Sequence, residues 1–168
     1  MVSKKLSSVA VIMGSDSDMP VMQECVNILK AFGIAPVVRI LSAHRTPQEA
    51  AEFAGSASKN GVRVIIAAAG MAAHLAGALA SKTVLPVIGV PLISGTPLEG
   101  IDALLSTMQM PPGIPVATVA IGKAGAKNAA ILAVEILALS NAKLTQKLTD
   151  YRKTEAEKVL EKDKKISS

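Results

Sequence analysis

Short apolar runs without polar alternation recur along this chain, and each is followed by a turn and then by a segment with helical apolar spacing. Val9-Ala10-Val11-Ile12-Met13 is the first run, and residues 36–41, 62–69, 84–90 and 116–121 repeat the theme. A strand that is apolar on both faces belongs inside a parallel sheet covered by helices, whereas a sheet with one wet face alternates apolar and polar residues. The intervening segments fit that cover. Helical patterns are expected from about Pro20 to Phe32, with Gly33 as the stop, from Pro47 to about Ala57, and from the 70–74 junction towards Ser81. Two more are expected, over 101–108 and from near Gly125 or Lys127 to beyond Leu139. Pro86 makes the start of the fourth run an entry position, because proline has no N–H for the ladder. The alternation predicts a three-layer α/β fold with a central parallel sheet.

With 168 residues and no linker-like stretch, the chain is read as a single catalytic domain over 1–168, with 141–168 as a late helix and charged C-terminal tail. The formal charge of +5 is concentrated in that tail, where eight Lys or Arg face five Asp or Glu. A nucleic-acid binder would carry its basic residues on a recognition element, often beside aromatic platforms, and the body of this chain shows neither. Leu144, Leu148 and Tyr151 share a helical face in the tail, which suits packing on the same subunit or on a neighbour. Alanine-rich stretches over 67–80 and 124–133 permit close helix approach and are consistent with a homo-oligomer. Cys25, the single cysteine, lies within a helical pattern and reads as core. No charged-then-apolar leader is expected at the start, and Val9–Met13 is too short for a membrane segment, so the expectation is a cytoplasmic protein with no membrane partner.

In a parallel sheet, ligands gather beyond the carboxyl ends of the strands, where following helices offer free N–H groups. Three loops fall there: residues 14–18, 42–47 and 70–74. The second holds His44 beside Arg45, a side chain able to move protons near neutral pH next to a fixed fork of donors for phosphate or carboxylate. Capping of the helix after Thr46 is the other reading of His44. Ser15 and Asp18 offer a hydroxyl and a carboxylate that suit either a helix cap or sugar hydroxyls. The first loop matches neither the dinucleotide nor the triphosphate glycine pattern. His74 reads as structural or supporting, Asp102 and Gln109 as helix-end residues or polar walls, and Lys123 and Lys127 as a solvated end or a phosphate attractor. The spacing specifies no metal site and no cofactor.

The segments MGSDSD (13–18), SAHRTP (42–47), AAHLAG (72–77), PVIGVP (86–91) and QMPPGIPVATVAIGKAG (109–125) occur in the order seen in a purine-biosynthesis family. Over residues 8–150 the chain resembles the phosphoribosylaminoimidazole carboxylase catalytic subunit family, in its bacterial N5-carboxyaminoimidazole ribonucleotide mutase branch. The resemblance implies a flavodoxin-like subunit in a homo-octamer, with the late helix packed on neighbours and no cofactor. It also implies that His44 transfers protons, that Ser15, Asp18 and Arg45 bind the ribonucleotide, that Ser42 assists at the phosphate, and that Gly70 and His74 belong to another loop of the site. The chain departs from the family pattern at Met71, where a glycine is usual, at Ala76, where a proline is usual, and over residues 93–97. Direct carboxylation of aminoimidazole ribonucleotide by free carbon dioxide is the rival enzyme reading, and a noncatalytic ribonucleotide-binding module is the rival of another class.

Overall fold

The computed structural model describes residues 7–95 and 97–167; Thr96, within the departing 93–97 loop, lies outside the described residues. Two compact units divide the chain, residues 1–133 and 134–168.

The first unit is built on five parallel strands, β1 (Val9–Met13), β2 (Val37–Ile40), β3 (Val64–Gly70), β4 (Val87–Leu92) and β5 (Ala117–Thr118), in the order β2-β1-β3-β4-β5. Between them run α1 (Met19–Ala31), α2 (Pro47–Ala57), α3 (Leu75–Ala80) and α4 (Ile101–Met108), and α5 (Gly122–Ala138) follows β5. All five residues of β1 are buried, as are the first five of β3 and all six of β4. That is why these runs carry no polar alternation: successive side chains point to opposite faces, and both faces are covered. Ala10, Ile12, Ile65 and Ala67 pack with Ala50, Ala54 and Ala57 of α2 and Leu75 and Leu79 of α3. The small alanines let α2 come close to the sheet, which positions the loop that precedes it.

Some boundaries differ from the sequence expectation. The fourth strand lies over Val87–Leu92 and not over 84–90, with Val84 99% exposed. It gains Pro91 and Leu92 because β3 runs on to Gly70, opposite Leu92. Pro91 costs no ladder bond there. The Gly89 carbonyl accepts from Val119 N–H at 3.1 Å, so residues 89 and 91 direct their backbone groups towards β5, whose pairing ends at Gly89. The fifth strand is also shorter than the run 116–121. Beyond Thr118 the chain turns into α5, which starts at Gly122, before the expected Gly125, and ends at Ala138, before Leu139. Gly125 accounts for the tight entry, because a Cβ at that position would collide with the Ala120 carbonyl oxygen.

The second unit holds the last turn of α5 and then α6 (Ala142–Ser167). Asn141 Oδ1 caps α6 by accepting from Lys143 N–H at 3.1 Å and Leu144 N–H at 3.3 Å, and Arg152 pairs with Glu135 at 2.6 Å. Leu144, Leu148 and Tyr151 are the residues of α6 that are not exposed, as their spacing predicts. Among the described residues, no helix is long and apolar enough to cross a membrane.

Candidate active site

The loops after β1, β2 and β3 meet at the carboxyl ends of the central strands. In the first loop, Ser15 Oγ accepts from Ser17 N–H at 3.3 Å while Asp18 Oδ2 accepts from Ser15 N–H at 3.0 Å, a reciprocal capping pair that shapes the turn. Asp18 is only 8% exposed. Burial pushes its carboxyl above the usual range, the N–H groups of Ser15 and Gly14 pull it partly back, and neighbouring Asp16 raises it further. A buried carboxylate of this kind gains from a hydroxyl donor arriving with a ligand.

The second loop is closed by its own hydrogen bonds. Thr46 Oγ1 accepts from Ser42 N–H at 2.8 Å and donates to the Ser42 carbonyl at 3.2 Å. Ser42 Oγ in turn accepts from the N–H groups of His44, at 3.3 Å, and Arg45, at 3.1 Å. Thr46 stands at the N-cap of α2, so that position does not fall to His44. The His44 ring instead reaches the third loop, with Nε2 at 2.9 Å from Nδ1 of His74 and the ring planes at 78°. Arg45 Nη2 donates to the Gly14 carbonyl at 3.3 Å, which ties the second loop to the first and, among the described residues, leaves other guanidinium donors free.

The third loop is shaped by close approach and an unusual backbone. Gly70 ends β3, and a Cβ there would collide with Ser94 Oγ and come within 2.8 Å of Ser94 Cβ. Next to it, Met71 has φ of 55°, a left-handed conformation that glycine adopts freely and a side chain resists. Ala76 is buried in the first turn of α3 and does not line the cavity, so this departure from the family pattern lies behind the site wall.

One cavity of about 700 Å³ is lined by Ser15, Asp18, Ser42, His44, Arg45, Gly70 and His74 together, the seven residues that the family resemblance assigns to the site. Ser17, Ile93 and Ser94 also line it and had not been singled out as site residues. The signal for Ser94 was topological: it follows the carboxyl end of β4, a position hidden by ending that strand at Val90. Gln109 lies with His74 on a second cavity of about 450 Å³. Asp102 Oδ1 accepts from Ala103 N–H at 2.9 Å, within the first turn of α4. Lys127 pairs with Glu24 at 3.5 Å, and neither Lys123 nor Lys127 lines either cavity. Cys25 is fully buried, and burial pushes its thiol up to about 12, which keeps it protonated and unreactive.

Fold and site define a parallel α/β protein whose ligand cavity opens at the strand carboxyl ends, with imidazole, guanidinium and hydroxyl groups converging on it. The chain belongs to the AIR carboxylase family, whose model matches residues 8–158. It is 55% identical over 158 residues to the N5-carboxyaminoimidazole ribonucleotide mutase of Pyrococcus horikoshii, covering 94% of this chain and 88% of the relative. Identity to the Escherichia coli K12 protein of the same name is 52% over 153 residues, covering 91% and 90%. Among solved structures, Treponema denticola PurE superposes with a TM-score of 0.85 at 30% identity, covering 95% of this chain and 98% of that one.

Proposed function

We propose that the chain converts N5-carboxyaminoimidazole ribonucleotide into 4-carboxy-5-aminoimidazole ribonucleotide, an isomerase step of purine biosynthesis. The observation that carries the reading is the placement of His44 beside Arg45 on a cavity closed by the three strand-end loops. In this reaction the exocyclic N–C bond breaks, its electron pair stays on nitrogen, and carbon dioxide is released within the cavity. His44 supplies the proton the nitrogen needs. Ring carbon C4 then attacks the trapped carbon dioxide, and His44 takes back the proton that C4 loses, so the step is balanced without any cofactor.

The remaining groups hold the ribonucleotide. Arg45 keeps guanidinium donors for the phosphate, and Ser42, whose oxygen already accepts from two N–H groups, has its own hydroxyl hydrogen to donate there. Ser15 and Asp18 face the ribose hydroxyls, which add donors to the Asp18 carboxylate beside the Ser15 N–H it already accepts from. Gly70 and His74 border the reacting end. Holding the ring over a small neutral intermediate favours recapture over escape.

The strand order 2-1-3-4-5 supports a flavodoxin-like, three-layer subunit. We read the whole chain as one catalytic domain that works in the cytoplasm as a homo-octamer, with α6 meeting neighbouring subunits. Solution mass measurement tests the assembly, and a stable monomer would contradict it.

A product-resolved assay at low bicarbonate, offering each substrate in turn, tests the reaction. The expected result is rapid use of N5-carboxyaminoimidazole ribonucleotide and little use of aminoimidazole ribonucleotide; the reverse preference would make the chain a carboxylase, and binding without turnover a noncatalytic module. His44→Asn should lower kcat by about 10²–10⁴-fold, the usual worth of a positioned acid–base group, while ribonucleotide binding is partly retained. Near-normal turnover of that variant would remove His44 from the proton role.

A further inference from the structure

We infer that His74 is a positioning residue that accepts the Nε2–H of His44 through its own Nδ1, and thereby makes Nδ1 of His44 the nitrogen that exchanges protons with the substrate. The inference rests on the proposed function and assigns the two ring nitrogens of the proton carrier separate tasks.

The geometry leaves few arrangements. Nε2 of His44 and Nδ1 of His74 are 2.9 Å apart, so one of the two carries a hydrogen and the other presents a lone pair. With the rings at 78° and their centroids 5.1 Å apart, the contact is edge to edge, so the shared hydrogen can lie in line between the nitrogens. Nδ1 of His44 makes no hydrogen bond to the described residues, and its ring lines the large cavity. It is the free corner of the ring.

The chemistry chooses between the two directions of the bond. When His44 donates through Nε2–H, its Nδ1 is bare in the neutral ring and protonated in the cation, and the bond to His74 is the same in both. Nδ1 can then give a proton to the departing amine and recover one from C4 with no change of tautomer. When His74 donates instead, neutral His44 carries its single hydrogen on Nδ1, and giving it up would leave an imidazolate, which is far too basic to form in this step. Only the first arrangement lets one nitrogen cycle between acid and base while the ring stays anchored. A partner on the far nitrogen of a working imidazole commonly fixes tautomer and orientation in this way.

The chain has two histidines, so side-chain ¹⁵N spectra can be assigned with one variant. In the neutral wild-type protein, His44 should show a hydrogen-bearing Nε2 and a bare Nδ1, and in His74→Ala this pattern should give way to a mixture of tautomers. His74→Ala should lower kcat by about 10–100-fold, the range for lost second partners of working imidazoles, with KM changed far less. His74→Asn places an amide oxygen near the position of Nδ1 and should restore most of both readouts; His74→Gln places it near Nε2 and should not. A hydrogen on His44 Nδ1 in the neutral wild-type protein would overturn the inference. So would a His74→Ala variant that raises KM at unchanged kcat, since that would make His74 a substrate contact only. Failure of the wild-type protein to turn over the mutase substrate would defeat the functional reading instead, and the spectra would still decide the direction of the histidine bond.

Discussion

The loops after β2 and β3 border the same cavity, yet they are held in shape by different means. The 42–47 loop is stitched by hydrogen bonds from Thr46 and Ser42, short polar side chains that satisfy backbone groups within a few residues. Among the described residues, the 70–74 loop has no such side-chain clamp, and its internal hydrogen bond runs from His74 N–H to the Ala72 carbonyl at 2.8 Å. It is shaped by Gly70 seated against Ser94 and by the left-handed backbone of Met71. The lesson is that His44 sits on the hydrogen-bonded loop and its partner His74 sits on the loop held by steric fit, so changes in the second loop should reach His44 through the ring contact.

Three substitutions sharpen or break that contrast. Gly70→Ala has the largest expected effect. Its new Cβ cannot coexist with the Ser94 side chain and also presses on the Leu92 carbonyl at 3.1 Å, so stability should fall by about 1–3 kcal/mol, and turnover should fall with it. Adding Ser94→Gly should recover most of that loss, and denaturant midpoints of the single and double variants measure the coupling. If the two substitutions proved additive, Gly70 would not be held by Ser94.

Thr46→Val comes next, because it keeps the shape of the side chain and removes the hydroxyl. Ser42 N–H loses its partner while the backbone bond from Thr46 N–H to the Ser42 carbonyl remains, so the expected loss is about 1 kcal/mol, with a rise in KM as the 42–47 loop loosens. Steady-state kinetics beside thermal unfolding would read both, and an unchanged midpoint with unchanged KM would show that the loop does not depend on this clamp.

Met71→Gly should have the smallest effect and the opposite sign. Relief of a left-handed side-chain conformation is worth about 1–2 kcal/mol, and the extra freedom of glycine in the unfolded chain returns about 0.5–1 of it, which leaves a gain near 0.5 kcal/mol. Chemical unfolding resolves a change of that size, and a loss of stability would mean that the methionine side chain contributes contacts that outweigh the strain.

Much of this molecule can be read along the chain. The first strand, the stops at Gly33 and Ala57 and the packing face of Leu144, Leu148 and Tyr151 follow from local patterns of apolar spacing and helix punctuation. The site loops follow too, since the carboxyl ends of parallel strands are where such folds place ligands. The later boundaries do not. Val84 has the composition of a strand residue but stays exposed, and the chain leaves the sheet after Val119 N–H bonds the Gly89 carbonyl, because strand ends depend on which neighbour is still alongside. Ser94 entered the site for the same reason, through the extension of β4 to Leu92.

The sequence by itself determined the parallel α/β character, through apolar runs that become the doubly covered strands β1, β3 and β4, while β2, from the run 36–41, stays largely exposed. It also determined which side chains can do chemistry, because a histidine beside an arginine has the same proton and anion chemistry in any fold. What only the tertiary structure decided is how the two histidines face one another. They are thirty residues apart, and a 2.9 Å contact between specified ring nitrogens depends on the register of β1 between β2 and β3, which brings the ends of those strands and the loops that follow them side by side. Local spacing carries no record of that register, since it arises only when the strands pair.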